Sequence, residues 1–258
     1  MCRVFVNMDY LVSIIMPVYN CADYLEQSIA SVIGQSFSNW ELLIVDDCSI
    51  DASPEIAKRF ASQDARIYYY RTSACSGSPI VPRNMGIEKA KGRFLTFLDS
   101  DDIWLPDKLQ HQLDCFLRHP DVALVYSDYE KMSQTGIRNH RFLIMPERVD
   151  YQELLSGNVI GCLTAIYDTR KLGKRYFPSC RHEDYALWLS LLRDGGEAVN
   201  TGHVDALYRV RKGSLSSNKF WTMHWQWVIY REQEHMDIVH SFCYFIKYAY
   251  HAVRKSLI

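Results

Sequence analysis

From Leu11 to about Ser127, short β-branched or apolar runs alternate with stretches of helical periodicity, and few architectures accept that alternation. Strands separated by segments of crossover length pair in parallel, so the pattern predicts an α/β unit: a mostly parallel sheet flanked by helices. Five strands are expected, Val12–Met16, Glu41–Val45, Arg66–Tyr70, Phe94–Leu98 and Val122–Ser127. Between the first two, Leu25, Ile29, Val32 and Ile33 recur on one helical face, with Asn20 and Asp23 offering acceptors for the helix start. Ser53-Pro54-Glu55 reads as a second helix start, with serine as N-cap and proline at the first position, and Pro106 opens a helix carrying Leu109, Leu113, Phe116 and Leu117.

The second half is less regular. Ser133–Arg141 is polar with a turn at Gly136, Val159–Tyr167 reads as a strand, and Glu183–Arg193 reads as a helix ended by Gly195-Gly196. A strand over Ala206–Val210 leads into the polar loop Arg211–Asn218, and two helices follow from Lys219, with Ile238, Phe242, Phe245, Ile246, Ala249 and Val253 on one stripe. In 219–258 the aromatic residues Trp221, Trp225, Trp227, Tyr230, Phe242, Tyr244, Phe245, Tyr248 and Tyr250 lie beside Lys247, Arg254 and Lys255. That mixture suits packing on the first domain and suits a bilayer interface, where rings sit at headgroup level and cations meet anionic lipid. The expected organisation is one domain over 1–218, in two halves of 10–130 and 131–218, followed by amphipathic helices over 219–258.

Composition narrows the possible partners. With 48% apolar residues in a chain of 258, core formation is not limiting, and Lys+Arg 29 against Asp+Glu 30 leaves a net charge of −1. No basic excess exists to neutralise phosphates, which argues against nucleic acid. The eight cysteines (Cys2, Cys21, Cys48, Cys75, Cys115, Cys162, Cys180, Cys243) are never closer than 18 positions, so no Cys-x-x-Cys metal or redox pair exists and they read as reduced thiols of a cytosolic protein. The apolar run at the N-terminus is too short for a signal-peptide core, and no stretch reaches the length of a membrane span.

In open parallel sheets ligands bind beyond the carboxyl ends of the strands, and there the polar clusters of this chain fall. Strand one ends in Pro17-Val18-Tyr19-Asn20, strand two in Asp46-Asp47-Cys48-Ser49-Ile50-Asp51, and strand four in Asp99-Ser100-Asp101-Asp102. Acids this close repel one another unless a cation or donors compensate. Mg2+ or Mn2+, which take oxygen ligands together with substrate phosphates, would compensate an Asp-x-Asp pair. The bland alternative is solvated turns, with Asp46, Asp47 and Asp51 closing Asx turns before the next helix.

Four segments together make the chain resemble the family 2 glycosyltransferases of GT-A fold. They are Val-Ser-Ile-Ile-Met-Pro-Val-Tyr-Asn (12–20), Gln-Ser-Phe-Ser-Asn-Trp-Glu-Leu-Leu-Ile-Val-Asp-Asp-Cys-Ser-Ile-Asp (35–51), Pro-Arg-Asn-Met-Gly-Ile (82–87) and Phe-Leu-Asp-Ser-Asp-Asp-Ile-Trp-Leu-Pro-Asp-Lys-Leu (97–109). The resemblance covers residues 10–130 best. It implies a Rossmann-like mostly parallel sheet and inverting transfer of a sugar from a nucleotide-diphospho-sugar, UDP-sugar first. It assigns donor binding to Pro17, Tyr19, Asn20, Asp47, Arg83, Asp99 and Ser100: Tyr19 stacks on the base, Asp47 accepts from its imide nitrogen and Asp99 lies near the ribose and donor sugar. Asp101 is the implied ligand of Mn2+ or Mg2+. Ser76–Pro82 departs from the family's small-residue loop by carrying two prolines, Pro79 and Pro82.

Displacement at an anomeric carbon also needs a carboxylate to deprotonate the acceptor hydroxyl. His182-Glu183-Asp184-Tyr185 resembles the family's Glu-Asp motif, which makes Asp184 the general base and Glu183 an acceptor contact. Sequence pattern alone leaves this open, because acids in a first helical turn are favoured by the macrodipole. His203 and the basic segment Arg209–Ser214 are further candidates for phosphate or metal contact, or a structural histidine and a solvated loop. The membrane spans and Gln-x-x-Arg-Trp motif of processive synthases do not occur, so the resemblance implies addition of one sugar to a saccharide or lipid-linked saccharide in surface polysaccharide or lipopolysaccharide assembly. The expected location is the cytoplasm, with peripheral contact at the inner face of the membrane. Two alternatives remain: a nucleotidyltransferase, which would need a glycine-rich, lysine-bearing loop where Pro17–Asn20 stands, and an inactive sugar-nucleotide-binding module, which would lack metal ligand or base.

Overall fold

The apolar runs become strands of a single sheet because each has β-branched or aromatic residues to bury on both faces. The computed structural model describes residues 10–211 and 219–257. β1 (Val12–Val18), β2 (Trp40–Asp46), β3 (Ile67–Arg71) and β4 (Phe94–Phe97) pair in parallel in the order β3-β2-β1-β4. Pro17 is accommodated because β1 pairs with β4 only as far as Ile15↔Phe97, so its missing N–H leaves no gap in that ladder. Every residue of β1 and β2 is buried. The helices α1 (Ala22–Ile33), α2 (Ser53–Gln63), α3 (Ile80–Lys89) and α4 (Lys108–Arg118) provide the crossovers and cover the two faces.

The expectation of a mostly parallel sheet holds for this half and needs amendment beyond it. The sheet continues as β9 (Ile166–Asp168), β6 (Leu124–Met132), β10 (Glu197–Arg209) and β5 (Ile103–Trp104), with β7 (Arg138–Leu143) on β6 and β8 (Arg148–Asp150) on β10. β6 and β10 are parallel, whereas β9 runs antiparallel to both β4 and β6, and β5, β7 and β8 are also antiparallel to their partners. The predicted strand Val159–Tyr167 shrinks to β9. Asn158 Oδ1 accepts from Ile160 N and Thr164 Oγ1 donates to the Gly161 carbonyl, so side chains bend this backbone into a short 3-10 turn before β9 begins. The polar stretch 133–141 is the turn and return strand of a hairpin, not merely a loop.

Two cores lie on opposite faces of the sheet. One joins Ile14, Leu42 and Phe94 to Leu25, Ile29 and Val32 of α1 and to Leu109 and Leu113 of α4. The other joins Ile15, Leu95 and Phe97 to Ile87 of α3, to Leu187 and Trp188 of α7 (Glu183–Leu192), and to Tyr230 in a π-helical turn after α8 (Lys219–Val228). Ile33 and Leu117, placed on the buried stripes by periodicity, are solvent-exposed instead. The short helices α5 (Tyr151–Leu154) and α6 (Thr169–Leu172) close connections in the second half. Gly86 lets α3 approach β1 closely, since a Cβ there would lie 2.5 Å from Ile15 Cγ2. The seven described cysteines are all free.

On α9 (Ile238–Leu257) the expected stripe divides. Phe245 packs on Trp227 of α8 with ring centroids 5.8 Å apart, whereas Ile238, Phe242 and Ile246 are exposed in line with Val239 and Tyr250. No described helix is long and apolar enough to cross a membrane. The side chains of Trp221, Val253, Arg254 and Lys255, and all of Lys212–Ser214, fall outside the described residues.

Candidate active site

Beyond β1 and β2 the polar residues first fasten the loops together. Asp46 closes an Asx turn by accepting from Ser49 N and also takes the Tyr69 hydroxyl at 3.0 Å. Asp51 accepts from Ala22 N and Ser53 N, and Ser53 Oγ accepts from Cys21 N. The start of α1 is therefore satisfied by the following loop and not by Asn20 or Asp23. Asn20 adopts φ +45° and uses its side-chain oxygen on Ile50 N, with its own N–H on Ser49 Oγ. Asp47 is buried and accepts from Thr72 Oγ1, Ser76 N and Ser76 Oγ, which pins the loop leading to the two prolines. Tyr19 stands beside it with 52% of its surface open, a ring available for stacking.

The acidic turn after β4 is held from beneath. The Ser28 hydroxyl of α1 lies 2.9 and 2.7 Å from the carbonyls of Ser100 and Asp102, and Ser100 is buried. Asp102 is buried with Oδ1 on the Arg209 amide, and burial together with Asp101 and Asp99 pushes its pKa far up. It is thus a structural carboxyl. Arg209 is no part of a solvated loop: its guanidinium reaches the Asp101 carbonyl at 2.6 Å, the Gln134 carbonyl and Gln27 Oε1. Arg211 pairs with Asp101 Oδ2 at 2.8 Å. Burial and neighbouring Asp99 raise the Asp101 pKa, the electrostatic signature of a carboxylate short of positive charge.

Among the described residues no three His, Cys, Asp or Glu side chains converge as a metal cage. The donor set fits a hard cation all the same, because Mg2+ and Mn2+ sites of this kind use one or two carboxylates and take the rest of their oxygens from substrate phosphates and water. Asp101 would provide the carboxylate, and the guanidinium of Arg211 already pairs with it there.

Between Asp99 and Glu183 stands Arg83. It reaches the site from α3, is 4% exposed, and donates to Asp99 Oδ1 at 2.6 Å and Glu183 Oε1 at 2.8 Å, with Phe177 beneath its guanidinium at 5.1 Å. Burial opposes its charge, and Asp99 and Glu183 more than offset that. Its Nε has no partner, the one incomplete group of an otherwise saturated side chain. The pair of prolines that distinguishes this loop lies at the start of α3 without displacing Arg83 from the site.

Asp184 and Glu183 open α7 immediately after His182, whose left-handed φ of 56° turns the chain sharply into the helix. Asp184 accepts from Tyr185 N at 2.7 Å and lies 3.3 Å from Asn158 Nδ2. Burial first, and the Glu183 charge second, push its pKa from 3.8 up to about 6. Macrodipole and catalysis are thus not exclusive readings of these acids. Asp99, Arg83, Glu183 and Asp184 line one cavity of about 680 Å³.

The same cavity gathers residues that the sequence did not single out for the site: Tyr129 and Lys131 of β6, Asn158, Arg181, Tyr208 and Trp225 of α8. The alternation of β6 could have flagged the first two, because Tyr129 and Lys131 are half-buried between fully buried neighbours. Tyr19 and Asp47 do not line this cavity; they follow the ends of β1 and β2. His203 does not line it either. It stacks on His111 at 3.8 Å, and His111 is bonded to Asp205 at 2.7 Å, a structural arrangement on β10 and α4.

Residues 13–172 match the family model for glycosyl transferase family 2. The chain belongs to that family. This family 2 enzyme is 38% identical over 252 residues to TuaG of Bacillus subtilis, a glycosyltransferase named for teichuronic acid biosynthesis, covering 97% of this chain and 99% of the relative. It is 40% identical over 220 residues to WfgD of Escherichia coli, covering 85% of each chain; WfgD is named a UDP-Glc:α-D-GlcNAc-diphosphoundecaprenol β-1,3-glucosyltransferase. Among solved structures, Staphylococcus aureus TarS residues 1–349 with UDP-GlcNAc superposes with a TM-score of 0.70 at 20% identity, covering 92% of this chain and 71% of that one. The mannosyltransferase PcManGT of Pyrobaculum calidifontis, solved with GDP-Man and Mn2+, superposes with a TM-score of 0.64 at 18% identity. The fold of this glycosyltransferase is therefore GT-A, as the four sequence segments implied.

Proposed function

We propose that the glycosyltransferase moves one sugar, with inversion, from a UDP-sugar to a lipid-linked saccharide during assembly of a cell-surface polysaccharide. The observation that carries this reading is the Arg83 bridge: one buried guanidinium ties Asp99, on the donor side, to Glu183, adjacent to a carboxylate whose pKa suits a general base at neutral pH. In this reading residues 10–130 bind the donor and 131–218 shape the acceptor side. Tyr19 stacks on the nucleotide base, beside the strand end formed by Pro17 and Asn20. Asp47 meets the base edge by exchanging its bonds to Ser76, and Asp99, with Ser100 and Arg83 behind it, orients ribose and sugar. When bound at Asp101, Mn2+ or Mg2+ supplies Lewis-acid stabilisation of the leaving diphosphate.

Asp184 removes the proton from the acceptor hydroxyl as that oxygen attacks the anomeric carbon. Arg83 holds Glu183 as a fixed anion toward the acceptor, and Asn158 limits the swing of Asp184. WfgD and WfaP, 40% and 37% identical to this chain, are named for transfer from UDP-Glc to GlcNAc-diphosphoundecaprenol, which supports both the donor and the lipid-linked acceptor class. The exposed row Ile238, Phe242, Ile246 and Tyr250 on α9, with Lys247 beside it, supports peripheral contact with an anionic membrane surface. Transfer from a panel of UDP-sugars with Mn2+, in parallel with Asp101→Ala and Asp184→Asn, tests the chemistry: silence of both variants is expected, and wild-type turnover in either removes its role. Co-sedimentation with vesicles containing phosphatidylglycerol tests the membrane contact, and loss of pelleting in Phe242→Ser/Ile246→Ser is expected.

A further inference from the structure

Asp184 is held by two arms that meet at one carbonyl. On one side the Tyr185 amide donates to Asp184 Oδ1 at 2.7 Å, and the hydroxyl at the far end of Tyr185 donates to the Leu154 carbonyl at the end of α5 at 2.9 Å. On the other side Asn158 Nδ2 lies 3.3 Å from Asp184 Oδ2. Asn158 Oδ1 accepts from Ile160 N, which sets the end of the amide that faces the carboxylate, and Gly157 N donates to the same Leu154 carbonyl at 2.9 Å. Whatever fixes the end of α5 therefore fixes the donors to both oxygens of the proposed base.

α5 is four residues long, too short to hold its own shape. Its supports come from the C-terminal segment. Gln226 of α8, 5% exposed, donates from Nε2 to the Tyr185 hydroxyl at 3.0 Å. The Tyr230 hydroxyl, from the π-helical turn, donates to the Leu155 carbonyl. Glu234, just past that turn, accepts from the Tyr151 hydroxyl at the start of α5 at 2.6 Å and pairs with Arg193, just past α7, at 3.0 Å. The segment 226–234 thus grips α5 and α7 at both their ends. Burial pushes the Tyr185 pKa far up, so its hydroxyl remains a donor at any working pH. Tyr185, Gln226 and Tyr230 do not line the cavity, so they act on the reaction through the groups they hold. A buried amide costs stability unless its bonds are made, whereas an apolar side chain of that shape would fill the space without such a cost. What the amide adds is direction: it orients the Tyr185 hydroxyl, which packing alone does not.

We propose that Gln226 is a positioning residue for the general base. Through the Tyr185 hydroxyl it fixes the first turn of α7, and with it the direction in which the Asp184 carboxylate meets the acceptor hydroxyl. The inference rests on the reading of Asp184 as the base. It makes α8 part of the catalytic unit, not an appendage to it.

The test compares Gln226→Met and Tyr185→Phe with wild type in transfer from the panel of UDP-sugars to a GlcNAc-diphospho-lipid. Each should lower kcat about five- to a hundredfold, with KM for the donor and the calorimetric Kd for UDP unchanged within about twofold. The unchanged UDP affinity also shows that the variants fold. Loosening the Tyr185 amide from Asp184 weakens a bond to the charged form, so the acid limb of kcat/KM should move to higher pH by about half a unit or more. Gln226→Met added to Tyr185→Phe should cost less than about twofold more, because both act through one hydroxyl. Should Tyr185→Phe lose UDP binding and so fail to fold, the kcat and acid limb of Gln226→Met alone decide. An unaltered kcat in Gln226→Met, an acid limb that stays in place, or losses that multiply in the double variant overturns the positioning role. Asp184→Asn separates this role from the reading beneath it: if Asp184→Asn is silent while Gln226→Met turns over like wild type, only the positioning fails. Wild-type turnover by Asp184→Asn, or no transfer by wild type from any donor, removes the base or the enzymatic reading and this role with it.

Discussion

Replacing Asp184 by Asn should make this glycosyltransferase more stable and nearly inactive at the same time. The carboxylate is enclosed and faces Glu183, so the folded chain holds its proton up to about pH 6, whereas a free aspartate releases it near 3.8. The sign follows directly: the folded state binds this proton more tightly than the unfolded one, so Asp184 lowers stability as pH rises from about 4 to about 6, and the penalty persists above. Two pH units correspond to about 3 kcal/mol, and because the cavity admits solvent to the carboxylate an effect of about 1–3 kcal/mol is expected. Asparagine keeps the shape, can still accept from Tyr185 N and cannot ionise. At about pH 7.5 the variant should melt higher by roughly 2–4 °C for each kcal/mol, and transfer should fall by about 10²–10⁴. Below about pH 4 the stability difference should vanish. In the wild type, kcat/KM should fall about tenfold per pH unit below about 6, and Glu183→Gln should move that limb to lower pH by removing a like charge and freeing Arg83 toward Asp184. Differential scanning calorimetry and radiolabelled transfer from about pH 4.5 to 8.5 read both quantities. A variant that loses stability together with activity, or a wild-type profile flat to the acid end, would refute the argument.

Other consequences are as specific. Arg211→Gln removes the guanidinium that occupies Asp101 Oδ2, so Mn2+ binding in the absence of nucleotide should tighten by up to about fivefold, the range a half-exposed ion pair allows; electron paramagnetic resonance of free Mn2+ measures it, and unchanged affinity means the pair does not compete. Gly86→Ala pushes a methyl group into Ile15 and should cost about 1–3 kcal/mol in urea unfolding. Combined with Ile15→Ala its cost should be less than additive, and strict additivity would place the strain elsewhere. Lys108 is fully buried over the Trp104 ring, bonded to Gln112 and Thr96, and burial pulls its pKa down to about 7. The folded chain therefore releases this proton before the unfolded chain does, so Lys108 should add stability as pH rises from about 7 to about 9.5, at up to roughly 1.4 kcal/mol per unit. Lys108→Met should flatten that slope, and a slope that persists in the variant assigns it to other groups.

The sequence made the parallel half of the fold legible because β1, β2 and β4 are buried on both faces and announce themselves as unbroken apolar runs. β1 to β4 lie where those runs are, within two residues at each end, whereas β6 begins two residues late and runs five residues beyond the expected Ser127. The second half failed locally where side chains override propensity. Val159–Tyr167 has the composition of a strand, yet Asn158 and Thr164 bond to the backbone there and hold it in turns, of which only β9 remains as strand. Helix starts failed for a related reason. Asn20 and Asp23 are correctly placed acceptors in sequence, but the N–H groups of α1 are taken by Asp51 and Ser53, about thirty positions on. A cap supplied across a loop leaves no local spacing to detect.

The same distinction between local and distant partners decides what could be read of the site. Asp99, Asp101 and Asp184 were legible because each lies in a short run of acids at the end of a strand or the start of a helix, and crowding of like charge is visible without a structure. Which of the crowded acids stay available for chemistry was not visible. Asp46 and Asp51 are held by backbone amides of their own loop, whereas burial and like charge raise the pKa of Asp101, Asp102 and Asp184 alike. The difference is set by cations that arrive from far along the chain: Arg83 reaches Glu183 across 100 positions, and Arg209 reaches the acidic turn across 108. Positive charge is therefore shared out among these acids from far along the chain, and of those left short of it Asp102 is sealed in at 2% exposure, which leaves Asp101 and Asp184 as the proposed metal ligand and base.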